Sequence, residues 1–225
     1  MAEGVRPLGV MRVKFVPLIA AASALVSPAF AGETVTRNYE MQDFSAIEIS
    51  GAYELDVKVG GDYSIVLIGH EEEMARSAVS VRSGALILDS KRRIHREKKR
   101  GGHDGIKAVV TLPALDRISV SGVVDADIGG VDASIFRVNL SGVGEVNIAG
   151  RCKRLDARVS GIGELNAKSL ECAEADIALS GMGEASIYAR EMAKAEVSGM
   201  GEINIYGSPK TVDKRGGFFS EINVR

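Results

Sequence analysis

Leu140–Ile148 reads LSGVGEVNI, and this stretch recurs along the second half of the chain. Copies of decreasing fidelity surround it: VSGIGELNA from Val159, LSGMGEASI from Leu179, VSGMGEINI from Val197, VSGVVDADI from Val120 and GGFFSEINV from Gly216. The motif serines follow one another at steps of 20, 19, 20 and 18 residues: Ser121, Ser141, Ser160, Ser180 and Ser198. A unit of about 20 residues cannot bury its own apolar face, so the repeat predicts a stacked solenoid.

Apolar and polar residues alternate on both sides of each motif serine, which is typical of β-strands. The apolar positions before the serine are Val138, Leu140, Ala157, Val159, Ile177, Leu179, Ala195 and Val197. Those after it are Val146, Ile148, Leu165, Ala167, Ala185, Ile187, Ile203 and Ile205. Each repeat therefore predicts a strand, a glycine corner and a second strand, with these side chains directed inward.

The predicted fold class is all-β, a right-handed parallel β-helix-like solenoid whose neighbouring turns lie about 4.8 Å apart. An antiparallel meander is the alternative. Residues 113–225 are assigned to the solenoid, and residues 32–112 to a less regular N-terminal β region that caps it. Within that region, residues 44–57 carry another copy of the pattern, and residues 71–78 predict a short helical turn. Phe218 and Phe219 are expected to cover the opposite end.

Residues 1–31 have the features of a secretory signal peptide. Arg6, Arg12 and Lys14 precede an apolar run that ends at Val26, and Ala29-Phe30-Ala31 supplies a cleavage site with small residues. The apolar run is too short for a stable transmembrane helix, and no second run follows it. We therefore expect cleavage near Ala31, a periplasmic or secreted location, and no transmembrane anchor in the mature chain.

Composition excludes several other classes of protein. The chain has 225 residues, of which 45% are hydrophobic, and its formal net charge is -2. A disordered chain has fewer apolar residues and a larger net charge, and a disulfide-dense miniprotein has more than two cysteines. The balance of charge and apolar content predicts a globular domain with a substantial core.

Four segments together resemble the bacterial head GIN domain family, whose members are described as heads of autotransporter adhesins. They are the F-x-x-I-x-I-S-G opening at Phe44, the G-x-L-I-L stretch at Gly84–Leu88, V-T-L-P-x-L at Val110–Leu115, and the S-G-x-G-[ED] repeats. The resemblance covers about residues 35–225. It implies an exported β-helix-like domain with a role in cell adhesion.

The repeats place acidic residues in one outer column of the predicted solenoid. The column contains Asp125, Glu145, Glu164, Glu184, Glu202 and Glu221, and Asn147, Asn166, Asn204 and Asn223 lie beside it. Three interpretations remain open: a solvated face produced by repeat duplication, a site for a cation or ligand, and a pair of catalytic carboxylates. We assign Glu145, Glu164, Glu184 and Glu202 as candidate ligand-binding residues, and predict no catalytic residues, metal site or cofactor.

Other motifs for catalysis or nucleotide binding are missing from the sequence. The motif serines do not form a G-x-S-x-G elbow, so we expect their hydroxyl groups to satisfy amides at the corners. The G-x-G of each repeat is not followed by the third glycine of the dinucleotide fingerprint, G-x-G-x-x-G. The G-K-[ST] that ends a phosphate loop is also missing from the sequence.

Cys152 and Cys172 lie 20 residues apart, which is close to one repeat, so they should stack on adjacent turns. That spacing and an oxidising destination predict a Cys152–Cys172 disulfide.

Residues 91–100 are strongly basic. Arg92, Arg93, Lys98, Lys99 and Arg100 are candidates for contact with anionic glycans, lipopolysaccharide phosphate or acidic membrane, and a solvated loop is the alternative. No aromatic residues interleave with these charges, so we expect no nucleic-acid partner.

The leading hypothesis is an exported, non-enzymatic β-solenoid module that binds a glycan, a surface or an envelope protein. The alternative is a carbohydrate-active β-helix enzyme that uses the stacked carboxylates. A structural or sensing component of the envelope is a third hypothesis. The sequence does not define the oligomeric state.

Overall fold

A computed structural model describes residues 33–90 and 105–225, which are almost entirely β-strand. The predicted signal peptide and the basic segment of residues 91–100 lie outside these described residues. Within the described ranges, no helix is long and apolar enough to cross a membrane. The short helical turn predicted within residues 71–78 is present as α1 (Glu71–Met74).

The strands fall into a less regular N-terminal group and a series of long repeat strands. The first group is β1 (Thr34–Tyr39), β2 (Ala46–Ser50), β3 (Ala52–Val59), β4 (Ser64–His70), β5 (Ser77–Arg82), β6 (Ala85–Ser90), β7 (Ile106–Leu112) and β8 (Arg117–Val120). The second is β9 (Val123–Leu140), β10 (Val143–Val159), β11 (Ile162–Leu179), β12 (Met182–Val197), β13 (Met200–Tyr206), β14 (Thr211–Gly216) and β15 (Ser220–Val224).

The repeat strands stack in parallel, each on the strand of the preceding turn. β10 pairs with β9 on one side and β11 on the other, and β12 continues the stack onto β13 and β14. Equivalent motif residues are direct partners, as in the pairing of Glu145 with Glu164. This parallel register confirms the predicted β-solenoid, which has about five turns, and excludes the antiparallel meander.

The glycine corners are as tight as the motif predicts. A Cβ atom at Gly142 would overlap the carbonyl oxygen of Gly122 on the preceding turn, and one at Gly163 would overlap that of Gly144. Successive turns approach so closely at these corners that only glycine leaves room for the neighbouring backbone. The two glycines of the motif therefore set the spacing between turns.

The core is a continuous apolar column inside the turns. The sixteen inward positions predicted from the alternation around the motif are all buried, from Val138 in the first complete repeat to Ile205 near the end. Residues between them, such as Glu145 and Asp156, point outward. Burial of this lining along the whole stack is the main stabilising contribution, because no single turn encloses its own core.

The stacking begins before residue 113, where the sequence assigns the start of the solenoid. β2 and β3 pair in parallel with β8 and the first part of β9, so the copy at residues 44–57 forms a turn in register with the later ones. β6 and β7 add a further layer on β2 and β3. β4, β1 and β5 then extend this end of the sheet by antiparallel pairing.

The expectation that Phe218 and Phe219 cover the other end is wrong. Their residues are 97% and 73% exposed, and the two rings contact each other with centroids 5.4 Å apart. They occupy the turn between β14 and β15, where the backbone passes the outer corner of the solenoid. Side chains at that position point away from the apolar lining.

Candidate functional site

Three ladders of side chains run side by side on one outer face, formed by the segment that follows each Ser-Gly corner. The apolar ladder consists of Val123, Val143, Ile162, Met182 and Met200. The acidic ladder consists of Asp125, Glu145, Glu164, Glu184, Glu202 and Glu221. The amide ladder consists of Asp127, Asn147, Asn166, Ser186, Asn204 and Asn223. We call this surface the ladder face. Its columns are two residues, or about 7 Å, apart along the strands.

Three members of the acidic ladder, Glu145, Glu184 and Glu202, accept hydrogen bonds from neighbouring asparagine amides. Asn204 Nδ2 donates to Glu184 Oε1 of the preceding turn at 2.9 Å, and Asn223 Nδ2 donates to Glu202 Oε1 at the same distance. Asn147 Nδ2 bonds to Glu145 Oε1 within its own strand at 2.8 Å. These bonds orient the carboxylates and leave their negative charge in place. Asn147, Asn204 and Asn223 therefore have a defined structural role.

Among the described residues, basic side chains form ion pairs with this column only at its two ends. At the N-terminal end, Lys107 Nζ lies 2.6 Å from Glu54, the strand partner of Asp125, and 2.7 Å from Asp56, the partner of Asp127. Hydrogen bonds to Asp56 and then Glu54 hold the pKa of Lys107 above its ordinary value. At the C-terminal end, Arg225 lies 3.7 Å from Glu202. Between these ends, Asp125, Glu145, Glu164 and Glu184 have no ion-pair partner among residues 33–90 and 105–225.

Several acidic groups before the serine corners lie in ion pairs. Before the serine corners, Arg154 contacts Asp156 at 2.8 Å and Glu174 at 3.5 Å. Asp176, on the next turn, lies 3.3 Å from Arg158 and 3.4 Å from Lys194. Hydrogen bonding to Asp156 accordingly raises the pKa of Arg154. Acidic and basic side chains therefore mix on the face before the serine corners, whereas the acidic ladder repeats negative charge on the ladder face.

A family model described as "Putative auto-transporter adhesin, head GIN domain" matches residues 43–209, which include all four S-G-x-G-E motifs. The chain belongs to the head GIN domain family. Among solved structures, a putative adhesin from Bacteroides fragilis aligns with a TM-score of 0.66 and 23% identity, covering 86% of this chain and 97% of its own. A putative lipid binding protein from Parabacteroides distasonis aligns with a TM-score of 0.49 and 18% identity over 87% of this chain and 98% of its own. No curated protein matches.

Of the candidate residues in this head GIN domain, Glu145, Glu164, Glu184 and Glu202 are brought into a single column by the register of the turns. The basic candidates, Arg92, Arg93, Lys98, Lys99 and Arg100, lie outside the described part of the chain. Groups of histidine, cysteine, aspartate and glutamate suitable for a metal ion do not occur among the described residues.

The apolar ladder of this head GIN domain was not identified from the sequence, although the signal was available. Val146 and Ile148 point inward, so period-two alternation places Val143 on the outside together with Glu145. The residue between the two motif glycines is Val, Ile or Met in each of the four closest copies. An outward position that is apolar in every such copy is unusual on a solvated surface.

The motif serines have a structural role that differs in detail from the expected one. Ser141 Oγ donates to the carbonyl oxygen of Val120 on the preceding turn at 3.1 Å, and Ser121 Oγ donates to that of Ile49 at 3.2 Å. The same carbonyl groups also accept the serine backbone N–H groups. The hydroxyl groups thus add to the bonds between turns by donating to carbonyls, whereas the sequence suggested that they accept from amides.

A shallow depression of about 430 Å³ lies beside the N-terminal half of the ladder face. It is lined by Asp56, Lys58, Asp127, Asn147 and Asn166, together with neighbouring small and apolar residues. The carboxylates of the acidic ladder from Glu145 to Glu202 do not line it. The depression therefore follows the amide ladder.

Cys152 and Cys172 are direct partners in the register of β10 and β11. Their Cα atoms are 4.5 Å apart, and the two residues form a disulfide that links adjacent turns. Both side chains belong to the buried lining, on a different segment from the ladder face.

Proposed function

We propose that this head GIN domain is an exported, non-enzymatic binding module that attaches to a cell or envelope surface through the ladder face. The observation that carries the proposal is the acidic ladder. Neighbouring unit charges about 4.8 Å apart repel each other by roughly 0.9 kcal/mol even in water-like dielectric. The scaffold neutralises comparable charges around Arg154 and Asp176, so a repeated uncompensated column suggests selection for binding.

The form of the ladder face supports binding rather than catalysis. Catalytic carboxylates are usually held in a cleft that excludes water and shifts their pKa values. Here Glu145 and Glu184 are exposed, and the nearby depression does not include them. A regular array of carboxylates, bordered by half-buried and buried amides, instead matches an extended partner with repeated polar groups. Stacked turns provide the rigidity that such a surface needs.

The proposed location is the periplasm or the cell exterior. Support comes from the secretory features of residues 1–31 and from the family's description as adhesin heads. The buried Cys152–Cys172 disulfide, which joins adjacent turns, also fits an oxidising compartment. A second proposed binding element is the basic segment of residues 91–100, which is suited to anionic glycans by its charge alone.

The test compares two triple variants of the full exported chain with equal changes in net charge. The first, Glu145→Gln/Glu164→Gln/Glu184→Gln, alters the acidic ladder. The control, Glu171→Gln/Glu191→Gln/Glu196→Gln, alters exposed acids outside the ladder face. Labelled protein is applied to glycan arrays and to bacterial envelope fragments, and release of reducing sugar is measured in parallel.

We expect the ladder variant alone to lose binding, with no sugar released by any form. Equal binding by both variants and the unaltered chain would contradict the role of the ladder face. Release of sugar that stops in the ladder variant would instead establish the enzymatic alternative.

A further inference from the structure

We propose that the apolar ladder docks a cationic amphipathic helix of a partner protein, an inference that rests on the binding function proposed for the ladder face. The five ladder side chains belong to residues that are 45–56% exposed, although all are Val, Ile or Met. Each is stacked directly on the next by the register of the turns. Together they form one continuous apolar stripe rather than scattered apolar positions.

Two other exposed apolar residues of the repeats, in contrast to the apolar ladder, do not form a continuous stripe. Ile135 and Met192 are 37% and 42% exposed, and they occupy one column before the serine corners. In that column Arg154 and Glu174 stand between them. Isolated apolar side chains among charges are ordinary on protein surfaces, whereas a contiguous stripe marks an interaction site.

The stripe also grows in side-chain size along the solenoid. Ala52 pairs with Val123 at the N-terminal end, and valines give way to Ile162 and then to the two methionines. Phe219 precedes Ser220, the partner of Gly201, in the same way that Met200 precedes Gly201. The exposed phenylalanine therefore holds the ladder's sequence position in the last copy, although it lies in the turn before β15 and is not paired with Met200. Methionine and phenylalanine are well suited to an adaptable apolar contact.

The negative charge of the acidic ladder restricts which partner can dock on the apolar ladder beside it. The acidic ladder borders the apolar ladder along its whole length, and its central members have no ion-pair partner among the described residues. An anionic membrane would be repelled by this column. A second copy docked through the same face would bring two acidic columns together. A polypeptide with an apolar stripe and a row of lysine or arginine along one border satisfies both ladders.

The dimensions fit a short helix that lies along the solenoid axis. Four steps of about 4.8 Å separate Val123 from Met200, giving roughly 19 Å, which corresponds to about 13 helical residues. The helical pitch of about 5.4 Å is near the spacing between turns, so successive apolar residues on one side of the helix would meet successive ladder residues. This is a helix-on-stripe contact with anchors at i, i+4, i+7 and i+11.

The probe is a fluorescent synthetic peptide of about 18 residues, made of leucine, lysine and alanine. Its leucines form one helical stripe and its lysines form one border of that stripe. A peptide of the same composition with shuffled order has no stripe, and a third peptide carries glutamate in place of lysine. Binding to the full exported chain is measured by fluorescence anisotropy at low and moderate salt.

Two variants distinguish the ladder from general apolar surface. Val143→Ser/Ile162→Ser/Met182→Ser interrupts the apolar ladder, and Ile135→Ser/Met192→Ser removes exposed apolar residues elsewhere. We expect the ladder variant to bind the stripe peptide roughly ten-fold more weakly or worse, and the control variant to bind it like the unaltered chain. Circular dichroism and thermal unfolding verify that each variant is folded. If the triple variant is unfolded, Ile162→Ser alone replaces it, with Ile162→Val as the conservative partner.

Several results would overturn the inference: no binding of the stripe peptide, equal binding of the shuffled or glutamate peptide, or equal loss in both variants. Dimerisation or binding to phosphatidylglycerol vesicles that is lost only in the ladder variant would assign the stripe to another occupant, and would overturn it too. The surface-binding assay with the Glu→Gln variants separates the two proposals. Attachment that needs the acidic ladder, without binding of the peptide, would leave the proposed function standing and remove this inference.

Discussion

Asn204 joins two successive turns by donating from its Nδ2 to Glu184 Oε1 at 2.9 Å, and its Oδ1 accepts from Arg225 Nε at 3.0 Å. The Asn204 residue is only 2% exposed, although it belongs to the ladder face. A buried amide with both ends satisfied fixes the carboxylate beside it. The Glu184 carboxylate is therefore pre-organised by the amide ladder rather than freely solvated.

We expect Asn204→Ala to lower the free energy of unfolding by about 1–3 kcal/mol, because it removes two hydrogen bonds to charged groups, Glu184 and Arg225. Asn147→Ala is the matched control, since Asn147 bonds to Glu145 in an exposed position within one strand. For that change we expect about 0.5 kcal/mol. Urea unfolding measures both; equal shifts in the two midpoints would contradict a special role for Asn204.

The spacing between turns depends on the motif glycines. A Cβ atom at Gly163 would overlap the Gly144 carbonyl oxygen, whereas one at Gly129 meets no atom within 4 Å. We expect Gly163→Ala to destabilise the chain by more than about 3 kcal/mol or to prevent folding. Gly129→Ala should be neutral or stabilising by up to about 1 kcal/mol, because alanine restricts the unfolded chain. Comparable unfolding midpoints for the two variants would show that the turns are not in tight contact.

Much of this architecture could be predicted from the sequence because repetition and period-two alternation are local signals. Val146 and Ile148 point inward as the alternation requires, and the repeat length alone brings Cys152 opposite Cys172. The apolar ladder needed only the further step of assigning Val143 to the outside. That step depends on where the alternation resumes after the corner.

Other features could not have been derived from the motif. Lys107 pairs with Glu54 and Asp56 because β7 stacks on β3, and 46 residues separate the end of β3 from the start of β7. The donation from Asn204 to Glu184 depends on side-chain rotamers at a buried position. Long-range pairing and rotamer choice follow from tertiary packing, which a single sequence does not encode locally.

The raised pKa of the Tyr53 phenol predicts that the fold loses stability at alkaline pH. Its hydroxyl group donates to the Asp89 carbonyl oxygen at 3.0 Å, and burial, reinforced by the Asp89 charge, raises the pKa of this phenol above its ordinary value of 10.0. The unfolded chain therefore loses the proton first as pH rises. The stabilisation is complete below about pH 10 and is lost as pH rises toward the folded-state pKa.

We expect Tyr53→Phe to show a shallower fall in its urea midpoint between pH 9 and 11 than the unaltered chain. Lys107 contributes in the same direction, because its raised pKa also stabilises the fold below the unfolded-state value, but it is present in both forms. The difference between the two curves therefore isolates Tyr53. Parallel curves would indicate that its phenol ionises as readily in the folded chain as in the unfolded one.

The disulfide between β10 and β11 should contribute measurably to stability. For a loop of 20 residues, constraint of the unfolded chain gives a contribution of about 3 kcal/mol. We expect Cys152→Ser/Cys172→Ser to lose roughly this amount in urea unfolding while retaining its strand content. Chain purified from an oxidising compartment should contain no free thiol by mass spectrometry. Two free thiols in that material would reject the bond in the exported protein.

The basic segment makes a separate prediction, because its positive charge contrasts with the acidic ladder. Replacing Arg92, Arg93, Lys98 and Lys99 with glutamine should abolish salt-sensitive binding to an anionic polysaccharide such as heparin. The matched control replaces Lys153, Lys168, Arg190 and Lys210, which are exposed and lie elsewhere on the solenoid. Retention on a heparin column at increasing salt measures both variants. The control should elute close to the unaltered chain, since clustering rather than total charge provides the attraction. Equal elution of the two variants would show that the response depends on net charge alone and would remove the segment as a binding element.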